Sequence, residues 1–76
     1  MLATKIRQVR KDLRENQTRF WRRFGVTQSS GSRFEQGIDI PPPLAILIEL
    51  YLANKVSDED LAAVQREQVE RPARPA

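Results

Sequence analysis

Residues 16–37 read NQTRFWRRFGVTQSSGSRFEQG, and the fold turns on this stretch. Asn16 stands where it can cap a helix over 17–24, in which Phe20 and Phe24 repeat at i, i+4. Gly25 ends that helix as a residue able to take positive φ. Thr27 caps a second helix from Gln28 to Gln36, closed by Gly37. The first of these helices carries a tryptophan, Trp21, and the second a glycine in its interior, Gly31. Glycine at such a position costs roughly 1 kcal/mol against alanine, so Gly31 needs a reason.

Outward from this pair, three more helices can be placed and no strand. Leu2, Ile6, Val9 and Leu13 form one apolar stripe, which predicts a helix over 4–14 with basic residues on its other faces. The segment IDIPPP (38–43) must be an extended connector, because each proline disfavours helix in the residue before it. Pro43 suits the first turn of a fourth helix over 43–54. Ser57 and Asp60 resemble a capping box for a fifth helix over 58–68, with Asp58, Glu59 and Asp60 at its positive end. The last residues, ERPARPA (70–76), have no apolar face and are expected to be disordered, leaving residues 1–69 as the one domain.

Composition narrows the function. The chain of 76 residues has no cysteine and no histidine, so neither a disulfide nor the usual metal ligands and general base are available. No metal, no cofactor and no enzymatic activity are expected. The longest apolar run, LAILIELYLA (44–53), contains Glu49 and is too short to span a bilayer, and no signal peptide is visible. A soluble, cytoplasmic protein is expected. Residues 1–37 carry nine basic against three acidic side chains, a net +6, whereas residues 38–76 carry four against seven, a net −3. A basic half joined to an acidic half points to one face meeting a polyanion, with nucleic acid the leading choice and an acidic membrane the second.

Two short helices joined by a three-residue turn with glycine have the spacing of a helix–turn–helix. The run QTRFWRRFGVTQSSGSRFEQG resembles the DNA-binding unit of the phage repressor and Cro family, the XRE-type regulators, most closely at Gln17, FGVTQ (24–28) and RFEQG (33–37). The resemblance covers residues 17–37 closely and 4–54 loosely. It implies an all-α, five-helix fold of the lambda-repressor-like type, with Phe20, Phe24, Val26 and Phe34 facing the core. It also exposes two departures: Trp21 stands where the family has a small residue, and Gly31 where it has isoleucine or valine. Both positions lie between the motif helices, so the indole is expected to fill the space that Gly31 leaves, since interiors tolerate swaps that conserve volume. The rival reading puts Trp21 on the surface as a stacking or membrane anchor.

The same resemblance implies that Gln28 and Ser29 read bases, that Arg33 reads a base or clamps phosphate, and that Gln17 binds phosphate at the start of its helix. The residue chemistry agrees: glutamine suits adenine, arginine suits guanine, and the hydroxyls of Ser29 and Ser32 are less selective. Arg19, Arg22 and Arg23 on the second helix, with Lys11 and Arg14 on the first, are candidate phosphate contacts. The competing reading for each is a solvated charged face. Arg10 and Glu35 occupy positions that the family pairs, so a structural ion pair between helices one and three is expected. Asp39, just beyond the motif, departs from the family's basic pattern there.

Helix four is apolar on more than one face, and Leu61 and Val64 add to that surface from helix five. A homodimer through helices four and five follows, with the monomer core as the rival use of those residues. The reading is a sequence-specific regulator of double-stranded DNA, repressing from an inverted-repeat operator. The alternatives are an antitoxin-type regulator that also binds a protein partner, and a non-specific nucleic-acid or protein-interaction module.

Overall fold

A computed structural model describes residues 2–70, with side chains through residue 68. The chain forms α1 (Leu2–Asp12), α2 (Gln17–Arg22), α3 (Gln28–Glu35), α4 (Pro42–Leu52) and α5 (Asp58–Glu70), and no strand occurs among the described residues. The all-α, five-helix expectation holds. The anticipated tail began at residue 70, but Glu70 is the last residue of α5, and 71–76 lie outside the described residues.

The helix ends follow from local hydrogen bonding. Asn16 Oδ1 accepts the Arg19 N–H at 2.7 Å and Thr27 Oγ1 accepts the Ser30 N–H at 3.2 Å, as side chains at N-caps do. Ser57 and Asp60 cap each other reciprocally: the Asp60 N–H reaches Ser57 Oγ at 3.1 Å and the Ser57 N–H reaches Asp60 Oδ2 at 2.9 Å. Aspartate therefore serves in the place that glutamate or glutamine usually takes.

Helices α1 to α4 all terminate on a left-handed residue flanked by the paired bonds of a Schellman motif. Gly25 (φ 74°) and Gly37 (φ 107°) do this at no steric cost, but Arg14 (φ 58°) and Asn54 (φ 61°) do the same. At α1, for example, Glu15 N–H reaches the Arg10 carbonyl at 3.1 Å and Arg14 N–H the Lys11 carbonyl at 3.0 Å. This stop at Asp12 corrects the expected 4–14 span. It also leaves Leu13 in the turn, 45% exposed, so Leu13 drops out of the buried stripe that Leu2, Ile6 and Val9 form.

Ile6, Phe20, Trp21 and Ile48 are fully buried, one or two from each of α1, α2 and α4. Val9, Phe24, Val26, Phe34, Leu44 and Leu52 pack around them. The Trp21 ring lies 5.5 Å from Phe20, 5.6 Å from Phe34 and 6.3 Å from Phe24, centroid to centroid, an edge-on and tilted cluster. The surface-anchor reading of Trp21 is thereby excluded. A Cβ built on Gly31 would overlap Trp21 Cγ and Cδ1 and stand 2.7 Å from Nε1. The glycine is there because the indole occupies the space of its missing side chain.

Helix α5 is held to the motif by polar contacts as well as by the buried Leu61. Gln65 Nε2 donates to the Arg22 and Arg23 carbonyls at 3.1 and 2.6 Å, satisfying acceptors at the end of α2. None of the described helices is long and apolar enough to cross a membrane.

Candidate nucleic-acid interface

Helix α3 turns Gly31 and Glu35 inward and leaves Gln28, Ser29, Arg33 and Gln36 exposed. Ser32 is half-buried, closer to the side of the helix than to its crest. The exposed edge is therefore polar and carries a cation, the composition that can hydrogen-bond to base edges. At its start, Gln28 Nε2 donates to Gln17 Oε1 at 2.8 Å, so the first residues of α2 and α3 meet side by side. Two helices whose spacing is set by a short turn thus present one continuous polar rim.

Behind this rim lies an ionic centre. Arg10 grips Glu35 with both ends of its guanidinium: Nε donates to Oε2 at 3.0 Å and Nη2 to Oε1 at 2.9 Å. Glu35 is only 3% exposed and Arg10 18%. The expected ion pair is present, with a third member that sequence reasoning missed. Trp21 Nε1–H donates to Glu35 Oε2 at 2.7 Å. A signal was available, since a buried indole N–H needs an acceptor and Glu35 is the one acid in residues 17–37. Burial pushes the Glu35 carboxyl up, but hydrogen bonds from Arg10, Trp21 and Gln17, with the Arg10 charge, together hold it below its ordinary value of 4.5.

Of the candidate phosphate contacts, Lys11, Arg14, Arg19 and Arg22 are exposed. Arg19 is 78% exposed and makes a loose pair with Glu15 at 3.4 Å, which leaves it able to turn outward. Arg23 is different, and its assignment as a phosphate contact is corrected. Its side chain is 12% exposed, and Nη1 lies 2.7 Å from Glu15 Oε1 while Nε lies 2.8 Å from Asp58 Oδ1. The guanidinium also sits over the rings of Phe20 and Tyr51, at 5.0 and 5.1 Å. Arg23 ties α2 to the α1–α2 turn, to α4 and to α5, and has no face left for DNA. The hydrogen bond from Arg23, then its charge, hold the Glu15 carboxyl below its ordinary value against the opposing effect of burial. Sequence spacing could not reveal this, because Asp58 and Tyr51 are brought to Arg23 only by the packing of α4 and α5.

No group of acidic side chains among the described residues could hold a metal ion. The exposed Asp39 lies in the connector beside the exposed Ile38.

Residues 7–51, from within α1 to nearly the end of α4, match the model of the RsaL-like HTH domain. The chain belongs to the RsaL-like helix–turn–helix family. A solved structure of the quorum-sensing repressor RsaL of Pseudomonas aeruginosa is 40% identical, superposes with a TM-score of 0.80, and is covered over 93% of its chain by 83% of this one. A search of curated proteins gives no match. As an RsaL-like domain the protein is a helix–turn–helix DNA-binding domain, and the resemblance to repressor and Cro-type units holds at that level. Helix α5 lies outside the matched residues 7–51. It braces the motif through Arg23, Leu61 and Gln65.

Proposed function

We propose that the protein is a sequence-specific transcriptional repressor that acts in the cytoplasm and binds an inverted-repeat operator as a homodimer. The observation that carries this reading is the rim formed by Gln17, Gln28, Ser29 and Arg33 on two helices locked together, on the basic half of an RsaL-like domain. In it, Gln28, Ser29, Ser32 and Arg33 face bases, and Gln17 binds phosphate at the N-terminus of α2. Lys11, Arg14, Arg19 and Arg22 add phosphate contacts, which set affinity without selecting sequence. The role is binding rather than catalysis.

Ile46, Leu50 and Val64 support dimerisation, since they are large apolar residues left exposed on α4 and α5. Two copies joined there would set their recognition helices roughly 34–36 Å apart, one turn of DNA. The test is selection from a random duplex library at near-physiological salt. An inverted repeat is expected, with Gln28→Ala and Arg33→Ala each relaxing a different position of the half-site. Recovery of no motif would sink specific repression and leave a non-specific module. Co-purification of a second polypeptide on α4 and α5 would favour the antitoxin-type reading.

Salt dependence separates the arginines. Each phosphate contact removed lowers the slope of log K against log salt by roughly 0.9. Arg19→Ala and Arg22→Ala are expected to lower the slope in this way. Arg23→Ala is expected to leave it unchanged and to reduce thermal stability instead, because its partners are Glu15 and Asp58. An Arg23→Ala protein of normal stability with a reduced slope would contradict the assignment.

A further inference from the structure

Helix α5 has little apolar packing to hold it. Of its described side chains Leu61 alone is buried and Gln65 is half-buried, while the others are exposed. A single apolar contact fixes where a helix touches but not the angle at which it crosses, because it acts as a pivot. Two polar clamps, one on each side of Leu61, fix that angle. At the start of α5, Asp58 Oδ1 accepts from Arg23 Nε at 2.8 Å and from the Tyr51 hydroxyl at 3.0 Å. Seven residues on, about 10 Å along a helix axis, Gln65 Nε2 donates to the Arg22 and Arg23 carbonyls. Both clamps reach Arg23 at the end of α2, the first helix of the DNA-binding motif. Val64, next to Gln65, is 53% exposed and joins Ile46 and Leu50 in the apolar surface assigned to the second copy. One helix thus carries the clamps on one side and part of the dimer surface on the other.

We infer that Gln65 and Asp58 are specificity-determining residues for operator architecture: by fixing the angle of α5 against α2, they set the half-site spacing that the dimer accepts. The inference rests on the homodimer reading. Recognition helices one DNA turn apart each stand roughly 17 Å from the dyad. On that lever a turn of about 10° between the interface and the motif moves each recognition helix by roughly 3 Å. That is close to the roughly 3.4 Å step from one base pair to the next. A small slackening of α5 is therefore enough to bring a neighbouring spacing into reach. The Gln65 amide already donates to two carbonyls, and Asp58 is an anion, so neither is suited to hold a phosphate. Their effect on DNA reaches it through the relative placement of the two motifs.

The test uses the inverted repeat recovered by selection, with its half-sites moved one or two base pairs closer or farther apart. Binding of each duplex is measured beside sedimentation for the dimer and circular dichroism for folding. For the wild type, a shift of one base pair is expected to weaken binding about tenfold, the scale of one lost base contact. Gln65→Leu keeps the bulk of the side chain and removes its donor, and Asp58→Ala removes the acceptor of the other clamp. Each is expected to shrink that spacing penalty severalfold, while base preferences within a half-site persist. A merely stabilising role would lower Tm and weaken all spacings alike. Folded, dimeric variants with the wild-type spacing profile would overturn the inference. So would a loss of base preference within the half-site, or dissociation to monomers, since either would give α5 a different task. Where Asp58→Ala does not fold, Gln65→Leu, at a half-buried position, carries the test. A wild type that is monomeric on DNA, or indifferent to spacing, would sink the homodimer reading itself, and the inference with it.

Discussion

Gly31→Ala will destabilise the domain, although at a free helix position the same change would stabilise it by roughly 1 kcal/mol. The added methyl has nowhere to go: it would overlap the five-membered ring of Trp21, whose indole is held by the Glu35 hydrogen bond and by three phenylalanines. Overpacking of this kind costs typically about 1–3 kcal/mol, enough to exceed the propensity gain. For a domain of this size each kcal/mol lowers Tm by roughly 4–8 °C, so thermal denaturation resolves the sign easily. The pairing also predicts non-additivity. Trp21→Leu alone should lose packing and leave Glu35 short of one donor, and adding Gly31→Ala should then cost little or regain stability. A Gly31→Ala protein as stable as the wild type, or more so, would show that the two residues are independent.

The second large effect is expected at Arg10. Arg10→Met removes the bidentate partner of a carboxylate that is almost wholly buried, and leaves it leaning on the Trp21 hydrogen bond. Breaking such a pair from one side costs about 3–5 kcal/mol. Domains hold roughly 0.05–0.15 kcal/mol per residue, so a loss of that size approaches global unfolding. Lys5→Ala provides the contrast: Lys5 and Glu49 stand 3.6 Å apart and are both more than half exposed, so breaking that pair should cost under about 1 kcal/mol.

Acid titration checks the same centre. Glu35 and Glu15 are both held below their ordinary value of 4.5 in the folded chain. Their contribution is therefore full above about pH 4.5 and is lost as pH falls through the lowered folded values. In Arg10→Met the carboxyl of Glu35 rises, burial being less opposed, and the acid-induced loss of stability should shrink. An unchanged acid slope would mean that Arg10 does not govern Glu35.

The sequence by itself determined the local features, because those depend on neighbours a few residues apart. Asn16, Thr27 and Ser57 with Asp60 mark helix starts through side-chain to backbone bonds that span three residues. Gly25 and Gly37 mark stops through their freedom at positive φ. The exposed Gln28, Ser29 and Arg33 and the Arg10–Glu35 pair were legible through the helix–turn–helix pattern, and the Trp21–Gly31 fit through volume compensation within it.

Only the tertiary structure decided the rest. Arg14 stops α1 in a conformation that arginine does not advertise, which removes Leu13 from the core. Arg23 looks in sequence like its neighbours Arg19 and Arg22, yet it is enclosed by Glu15, Tyr51 and Asp58. The bond from Trp21 to Glu35 turns a packing residue into part of an ionic network. The physical reason is the same in each case: whether a charged side chain faces water, a phosphate or a buried partner depends on the groups that folding brings beside it from distant parts of the chain, and no local pattern encodes their arrival.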